Sequence, residues 1–472
     1  MALSSALYSG ISGLSTLGNA MQIIGDNIAN VNTIGFKGST FTFQDLLSQS
    51  VSTMSGTAQV GRGAGLGDIY SGFDQGSFES TGSSTDLGIG GEGFFIVQDT
   101  ANTTDYLTRA GNFRFDKDGN FINPEGYVVQ GWALDSTGNN TGSVGDVTLT
   151  SFSSSPSETT DMEVIVNLDS AATDKTTGSD TALSSAWNGS QATPLAATAY
   201  EYSTTLKAYD SLGNTHDTTV YFDKGNTANT WEYIVTCNPS EDLRVGGTAT
   251  VHTGLLARGT MLFNTAGGFD TSGTPLTMQR SDGAGNWTAS MGTASTTNGH
   301  FTFAPALISG SPMTIELDFG LRWSGSAWLP ASLTSSQFAR GSTTNFQSAD
   351  GYGAGALQSV SVDVAGAISG NYSNGEVIPL FRVALAKVNS LSGLKKEGGN
   401  LFSETRDSGS ANPSSPGTNG TGTIAPNALE QSNVDIAAEF VKMITTQRGF
   451  QANSKIITVT DQMLAELINL KR

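Results

Sequence analysis

An apolar residue recurs every three or four positions from Leu3 to Val31, and this repeat constrains the fold more than any other feature. The spacing predicts a long α-helix with a heptad stripe of the coiled-coil kind. Asp26 is the only charged residue before Lys37, so the helix lacks the charges that a solvated surface carries. We expect other protein to cover it, with a stripe made of Leu3, Leu7, Leu14, Leu17, Met21, Ile24, Ile28 and Val31 and with Gly10 in the missing place.

Glycines weaken this helix when it stands alone. Each glycine in a helix interior costs up to about 1 kcal/mol relative to alanine, and Gly10, Gly13, Gly18 and Gly25 all fall within the repeat. The helix should therefore gain its order when burial of the stripe offsets the entropy of ordering. We expect it to end near Asn32, before Gly35.

A second amphipathic helix is predicted at the C-terminus. Ser432 or Asn433 could cap it, and Arg448 interrupts its stripe. The pattern is compatible with a terminal hairpin docked on a core, or with self-assembly through paired terminal helices. The apolar positions of this stripe are Ala437, Val441, Ile444, Ala452, Ile456, Val459, Met463 and Leu470.

Short alternating runs with Gly and Asn turns predict β structure between the helices. Asp118-Gly119 indicates a tight hairpin turn, and a meander begins with Tyr202–Tyr209. Segments 151–160 and 170–198 are rich in Ser, Thr and Ala, and we expect exposed linkers or long loops there. The other predicted strands are Phe94–Val97, Tyr106–Thr108, Asn112–Phe115, Phe121–Ile122, Tyr127–Trp132, Thr218–Phe222, Trp231–Thr236, Met313–Phe319, Trp328–Leu333, Val360–Val364 and Leu380–Val388.

The order helix, β, inserted β, β, helix predicts an α+β fold of discontinuous, nested domains. Coiled-coil-like helices from both ends would form one domain, and mainly β middle and outer domains would follow. The expected domains are 1–36 with 430–472 (helical), 37–67 (extended connector), 68–149 with 357–406 (first β domain), 150–356 (inserted outer β domain, of one or two subdomains) and 407–429 (flexible connector).

Charge and composition exclude several classes of protein. The 42 acidic residues outnumber the 23 basic ones, giving a net charge of −19, which argues against nucleic-acid binding and against docking on anionic lipid. No apolar run approaches the length of a membrane span, so we expect no membrane insertion. The segment from Met1 to Ala20 lacks Lys and Arg, and it does not resemble a cleaved secretory signal.

Motifs for cofactors, metals and catalysis are weak. Gly88, Gly90 and Gly93 have dinucleotide-loop spacing, but the residues that follow them predict a strand where that motif needs a helix. Asp116 and Asp118 could begin a calcium loop, but Tyr127 occupies the twelfth position, where a carboxylate is required. The three histidines are scattered. We therefore expect no enzyme, no cofactor and no metal site.

Cys237 is the only cysteine, so an internal disulfide and a Cys-based zinc site are excluded. It ends a predicted strand. It is either a small or buried strand-end residue or, as an alternative, the site of a covalent cross-link between subunits. Lys207 and Lys224 on nearby strands are conceivable partners for such a link, and nothing in the sequence selects either.

Both ends of the chain resemble the signatures of the bacterial flagellar rod and hook proteins. The N-terminal match is Ser9-Gly10-Ile11-Ser12-Gly13-Leu14 followed by Ile28–Lys37, and the C-terminal match is Thr446–Lys455 with the ending Leu467–Leu470. Asp86–Val97, Tyr106–Phe115 and Gly370–Gly375 are similar to the first β domain of that family. Gly449-Phe450 departs from the Ala-Tyr common in the family. The signature residues carried over are Asn30, Asn32, Gly35, Phe36, Lys37, Gln447, Arg448, Gln451 and Asn453.

Chain length and the large insert favour the hook branch of this family over the shorter rod proteins. The resemblance implies a homopolymer, a curved flexible tube that acts as a universal joint and transmits torque from rod to filament. It implies contacts with rod, hook-filament junction and hook-cap proteins. It also implies an extracellular location in the flagellum, reached through the type III export apparatus without a cleaved signal.

Two alternatives remain open at this point. One is a distal rod protein of the same family, which would build a straight segment. The other is a secreted β-rich adhesin or carbohydrate-binding protein whose terminal helices only oligomerise it; specific glycan binding by residues 150–356 would distinguish it.

Overall fold

The computed structural model describes residues 2–53, 56–100, 104–245, 250–289, 298–307 and 312–470. The chain divides into two compact units. Unit 1 comprises Met1–Phe152, Leu357–Tyr372 and Glu376–Arg472, and unit 2 comprises Ser153–Ala356 and Ser373–Gly375. The predicted α+β class is confirmed, because long helices at both ends flank a middle made of strands.

Strands make up most of the regular structure between the terminal helices. In chain order the elements are α1 (Ala2–Ala29), β1 (Ser39–Asp45), β2 (Gln49–Thr53), β3 (Gly56–Val60), β4 (Ala64–Ser71), β5 (Phe78–Ser80), β6 (Leu87–Gly90), β7 (Phe94–Asp99), β8 (Thr104–Thr108), β9 (Arg114–Phe115), β10 (Phe121–Ile122), β11 (Val128–Leu134), β12 (Asn140–Asp146), β13 (Ser153–Ser154), β14 (Asp161–Asp169), α2 (Ala182–Ala186), β15 (Tyr202–Tyr209), β16 (Thr215–Lys224), β17 (Thr230–Thr236), β18 (Leu255–Leu262), β19 (Gln279–Ser281), β20 (Trp287–Ala289), β21 (Phe301–Phe303), β22 (Ile315–Asp318), β23 (Leu321–Trp323), β24 (Trp328–Pro330), β25 (Ser336–Phe338), β26 (Thr343–Ala349), β27 (Gly355–Val362), β28 (Ala367–Tyr372), β29 (Val377–Val383), β30 (Leu385–Lys387), β31 (Lys395–Gly398), β32 (Leu401–Ser403), β33 (Asn412–Ser414), β34 (Thr423–Pro426), β35 (Ala428–Glu430) and α3 (Ile436–Leu470).

The two terminal helices pack against each other in antiparallel directions. A Cβ at Gly10 would lie 3.1 Å from Cγ1 of Ile457, and a Cβ at Gly13 would lie 2.9 Å from the Asn453 side chain. Further along, a Cβ at Gly449 would lie 3.2 Å from Cδ1 of Leu17. Glycine is therefore used where the two helices come closest, which offsets its poor helix propensity.

Unit 1 is built on one large antiparallel sheet. Its path runs β27-β28-β29-β11-β7-β8-β32-β31, and β9, β10, β12, β30 and β33 join it at the side. The predicted turn at Asp118-Gly119 is confirmed, since Gly119 has φ +87° and Phe115 pairs with Phe121 across it. The core of this sheet includes Phe95, Val97 and Ile368.

Two segments expected to be connectors are hydrogen-bonded into unit 1. Within 37–67, β1 pairs with β4 and β2 pairs with β3 as antiparallel hairpins. Within 407–429, β33 pairs with β30 and β34 pairs with β6. These pairings differ from the expected extended and flexible connectors, because short strands separated by Gly and Asn turns have little sequence pattern of their own.

Unit 2 contains two sheets that share one apolar core. The predicted meander is confirmed in a six-stranded sheet of order β15-β16-β17-β18-β19-β20, in which Tyr202 pairs with Phe222. In the five-stranded sheet, β14 pairs in parallel with β22 and β25 and antiparallel with β26. Trp231, Tyr233 and Phe319 are among the large side chains fully buried in unit 2.

Segment 170–198 forms the long loops that were expected, around one short helix, but it is not exposed throughout as its composition predicts. Its helix α2 carries Leu183, and Leu183, Trp187 and Leu195 are buried against Ile234 and Leu255. The indole Nε1 of Trp187 also donates to the carbonyl of Thr253 at 3.0 Å. A few well-spaced apolar side chains among Ser and Thr are enough to cover one face of a sheet.

Candidate assembly surface

The apolar stripe of α1 faces α3 and the β1–β4 hairpin. Ile24 is fully buried in the chain. Thr16 donates to the carbonyl of Ala64 at 3.0 Å, and the Asn27 side chain exchanges two 2.8 Å hydrogen bonds with the backbone of Ser39. The side chain of Leu3 lies outside the described residues. The other predicted positions are half-buried, namely Leu7, Leu14, Leu17, Met21, Ile28 and Val31.

The predicted stripe of α3 points away from α1. Ala437 and Ala452 are exposed, and the side chain of Leu470 lies outside the described residues. The larger side chains are 40–62% exposed. Hydrophobic residues on one helix face normally lie against protein, so this face has no partner within the described part of the chain. We call it the outer stripe, and it consists of Val441, Ile444, Ile456, Val459 and Met463.

A different and more polar face of α3 meets α1. Thr446 and Thr460 are buried there, and both donate back to carbonyls of their own helix. Asn453 is half-buried against Gly13 and donates from Nδ2 to the carbonyl of Gly449 at 3.1 Å. Apolar periodicity does not predict this face, because apart from Ile457 the contact is marked by small or polar residues.

A buried ionic cluster joins the end of α1 to the start of α3. Nζ of Lys37 lies 2.7 Å from Oε1 of Glu430, and Nη1 of Arg109 lies 3.4 Å from Oε2 of the same carboxylate. Lys37 also donates to the carbonyl of Asp74, and the backbone N–H of Gly76 donates to Glu430. We call Lys37, Arg109 and Glu430 the junction cluster.

Burial sets the electrostatics of the junction cluster. Desolvation lowers the pKa of Lys37 and of Arg109, and the Glu430 carboxylate opposes both shifts. The guanidinium of Arg109 also lies 5.2 Å from the centroid of the Phe94 ring, which is a cation–π arrangement. Two buried cations thus depend on one carboxylate that lies in a different part of the sequence.

The side-chain amide of Asn433 adds hydrogen bonds to this junction. The side chain of Asn433 accepts from the backbone N–H of Gly38 at 2.9 Å and donates to the carbonyl of Gly72 at 2.7 Å. The sequence suggests Asn433 only as a helix cap, and its patterns predict no role for Asn27, Arg109 or Glu430. Arg109 and Glu430 are recognised only through contacts with residues far along the chain.

The remaining signature residues differ in their surroundings. Phe36 is buried, with Nζ of Lys396 5.3 Å from its ring centroid, and Gly35 has φ +68°. Asn30 donates to the carbonyl of Asp26 at 3.0 Å. The exposed signature side chains are those of Asn32, Gln447, Arg448 and Gln451.

The residues considered for cofactor binding, metal binding or cross-linking lie in a paired strand, a turn, a buried position and a surface ion pair. Gly88 and Gly90 lie in β6, paired with β34, and Asp116 accepts from the backbone N–H groups of Asp118 and Asn120. Burial raises the pKa of the Cys237 thiol to about 12, so it is held as the neutral thiol. Lys207 forms an exposed ion pair with Asp217.

Metal-ligating side chains are not clustered in the described ranges. Those ranges contain no group of three or more His, Cys, Asp or Glu that could hold a metal ion. In the same part of the chain, no helix combines the length and the hydropathy needed to cross a membrane.

Four regions of the chain match known families. Residues 7–37 match flagella basal body rod protein, and residues 88–173 match the flagellar hook protein FlgE/F/G D1 domain. Residues 167–352 match the flagellar basal body protein FlaE D2 domain, and residues 425–470 match the flagellar basal body rod FlgEFG protein C-terminal region.

Full-length relatives show the same similarity. The flagellar hook protein FlgE of Treponema pallidum is 32% identical, and that of Borreliella burgdorferi is 34% identical; each match covers 99% of both chains. The crystal structure of Helicobacter pylori flagellar hook protein FlgE2 aligns with a TM-score of 0.46 at 16% identity, covering 75% of this chain and 100% of that one.

Proposed function

This chain belongs to the flagellar hook protein family, and we propose that it is the structural subunit that polymerises into the curved, flexible hook. In this role it acts as a universal joint that transmits torque from the rod to the filament. Nothing in the proposal requires catalysis, because a joint works through the contacts between its subunits.

The observation that carries the proposal is the outer stripe of α3. Its apolar side chains share one helix face and remain 40–62% exposed after the chain has folded. Burying a large apolar side chain completely is worth about 1.5–3 kcal/mol. A further copy of the chain that covers the outer stripe would gain a substantial part of that energy.

The two units take separate roles in this proposal. Paired terminal helices form the inner layer of the tube and hold it together, and the β structure forms its middle and outer layers. Contacts between copies of unit 2 set the curvature. Each row of subunits must lengthen and shorten once per turn as a curved tube rotates, so these outer contacts have to slide.

Partners and location follow from the same role. We infer an extracellular position in the flagellum, with the rod at one end of the tube and junction or cap proteins at the other. Export through the type III apparatus belongs to the same proposal.

Assembly can be tested on the purified full-length chain. The chain is concentrated in precipitating salt and observed by negative-stain electron microscopy. Curved, hollow tubes are expected. Straight rods would favour a rod protein, and monomers that persist even with hook fragments as seeds would contradict the proposal.

The structure offers a precise deletion for testing the role of unit 2. The backbone N–H of Leu357 donates to the carbonyl of Phe152 at 2.8 Å, so the two ends left by removing residues 153–356 already lie side by side. A short glycine linker should join them without strain. The deleted chain is expected to form straight tubes, and curved tubes from it would contradict the proposed division of roles.

A further inference from the structure

A cavity of about 640 Å³ lies beside the junction cluster in unit 1. Phe73, Phe94, Val388 and Leu391 form its apolar walls. The Phe73 and Phe94 rings meet edge to face with their centroids 5.6 Å apart. The volume falls within the range of sites that hold a ligand or a peptide segment, about 300–1,000 Å³.

One buried donor in this cavity is incompletely satisfied. Arg109 lines the cavity and its side chain is only 4% exposed. Its Nη1 reaches Glu430 at 3.4 Å, and its buried Nε has no hydrogen-bond partner among the described residues. A buried donor without an acceptor costs about 1–3 kcal/mol, so an oxygen acceptor that reached Nε would be stabilised.

The charges at the rim restrict the class of ligand. Lys387 is already paired with Glu92 at 2.5 Å, and Asp74 adds another carboxylate. A polyanion such as phosphate would meet both acids. The walls and the unpartnered Nε of Arg109 instead suit apolar side chains next to one carboxylate or carbonyl oxygen, which is the chemistry of a peptide segment.

The chain itself exposes a segment of this kind. Leu47 is 91% exposed, Leu46 is 40% exposed, and the preceding Asp45 is exposed as well. Asp45 ends β1 and the two leucines lead into β2, and we call these three residues the Leu47 corner. Two leucines beside a carboxylate complement apolar walls beside a guanidinium.

The Leu47 corner cannot reach the cavity of its own chain. It lies against α1 at Tyr8 and Ile11, whereas the cavity adjoins Arg109 and the junction cluster beyond the other end of that helix. The helix continues from Tyr8 to its last residue, Ala29. At the helical rise of about 1.5 Å per residue, this stretch is about 30 Å long. Corner and cavity therefore sit at opposite ends of a rigid element.

We propose that the Leu47 corner of one copy docks in the Arg109 cavity of a second copy, with the leucines on the aromatic walls and an oxygen of Asp45 accepting from Arg109. Two different surfaces, one at each end of α1, then meet head to tail. Such a contact does not close on itself and generates an open helical assembly. The contact rests on the proposed function, because it presupposes the polymer.

Engineered cysteines test this contact in assembled tubes. Leu47→Cys places a thiol on the corner, and Leu391→Cys places one at the mouth of the cavity, where Leu391 is 39% exposed. The native Cys237 is 4% exposed and gives little background. Tubes are oxidised, dissociated and separated by non-reducing electrophoresis. A chain with Leu212→Cys and Leu391→Cys is the matched control, because Leu212 is 67% exposed and lies outside both surfaces.

A ladder of multimers is expected from tubes of the Leu47→Cys/Leu391→Cys chain, and dimers only from co-assembled single variants. The control pair should give no ladder. Tubes of the double variant without a ladder would overturn this contact while leaving the proposed function intact. 

A second comparison covers the case in which the double variant does not assemble. Leu47→Ser is then compared with Leu212→Ser in an otherwise native chain. Loss of tubes only for Leu47→Ser supports the contact, and normal tubes overturn it. Failure of the native chain to form tubes would contradict both proposals.

Discussion

The ammonium group of Lys37 lies 2.7 Å from the carboxylate of Glu430, which is 393 residues further along the chain, and both side chains are fully buried. Lys37 follows the first long helix and Glu430 precedes the last one. Together with Arg109 they fix the two helices to the β structure at one place. The ion pair is therefore one of the points at which the helices are held to the β structure.

Replacing Glu430 should destabilise unit 1 strongly. Glu430→Gln leaves Lys37 and Arg109 buried without a counter-charge, and breaking a buried ion pair from one side costs about 3–5 kcal/mol. Urea unfolding followed by circular dichroism measures the loss. Glu397→Gln is the matched control, since its pair with Lys395 is more exposed, and exposed pairs are worth less than about 1 kcal/mol. Equal losses of unfolding free energy in both variants would contradict a special contribution of the junction cluster to stability.

A charge in the outer stripe should block assembly and spare the fold. Ile444 is 49% exposed, so Ile444→Asp is tolerated in the single chain but places a carboxylate in the contact that we propose between copies. Thr458→Asp, an exposed position off the stripe, is the control. Sedimentation and electron microscopy should show monomers for the first and tubes for the second. Tubes from both would contradict a role for the outer stripe.

The sequence alone suggests Ile24→Asp for the same purpose, and the structure argues against that choice. Ile24 is 0% exposed within the chain. A carboxylate there should disrupt the folded chain itself, so a loss of tubes would not report on contacts between copies. Circular dichroism of soluble Ile24→Asp should show lost helix, and a native spectrum would contradict this placement.

Gly35 should tolerate no side chain. Its φ of +68° is unfavourable for other residues, and a Cβ would lie 2.6 Å from the backbone nitrogen of Ala110. Gly35→Ala should therefore cost about 1–3 kcal/mol in strain, measured as a lower unfolding midpoint. Gly18→Ala is the control, because a Cβ there meets nothing within 4 Å and alanine favours the helix. An unchanged midpoint for Gly35→Ala would show that this turn relaxes freely.

The stability of unit 2 should depend on the protonation of Glu232. Burial raises its pKa from 4.5 to about 7, and its Oε1 has no partner among the described residues. The folded state then binds more protons than the unfolded state between these values, so stability falls as pH rises through this window and is constant above it. Asp223 and Asp180 add repulsion to the charged form, and Arg258 is the nearby cation.

Glu232→Gln should remove that dependence. The amide keeps an oxygen for the backbone N–H of Leu183, which donates to Glu232 at 2.9 Å. At pH 8 the variant should be more stable than the native chain by roughly 3 kcal/mol, and near pH 4.5 the two should agree. Thermal unfolding across pH 4.5–8 measures this difference, with the exposed Glu158→Gln as control. Parallel curves for native and Glu232→Gln chains would contradict the buried, titrating carboxylate.

The strongest patterns in the sequence predicted local structure well. The turn at Asp118-Gly119 and the strand Tyr202–Tyr209 are found where they were expected. The partial burial of segment 170–198 was missed because Leu183, Trp187 and Leu195 are too few to dominate its composition. The hairpin at 39–71 was missed although Thr40–Gln44 alternates, because Gly65 and Gly67 break the alternation in its second strand.

The two terminal helices, the β middle and the family were predictable from the residues alone, because periodicity and contiguous motifs are local properties. The face of α3 that meets α1 emerged from three-dimensional packing, which selected Thr446, Gly449 and Asn453 over the apolar stripe. That packing alone brought Lys37, Arg109 and Glu430 together. The physical reason is that close helix packing and buried charge pairing depend on distances in space, and residues far apart in the chain carry no mutual signal in one sequence.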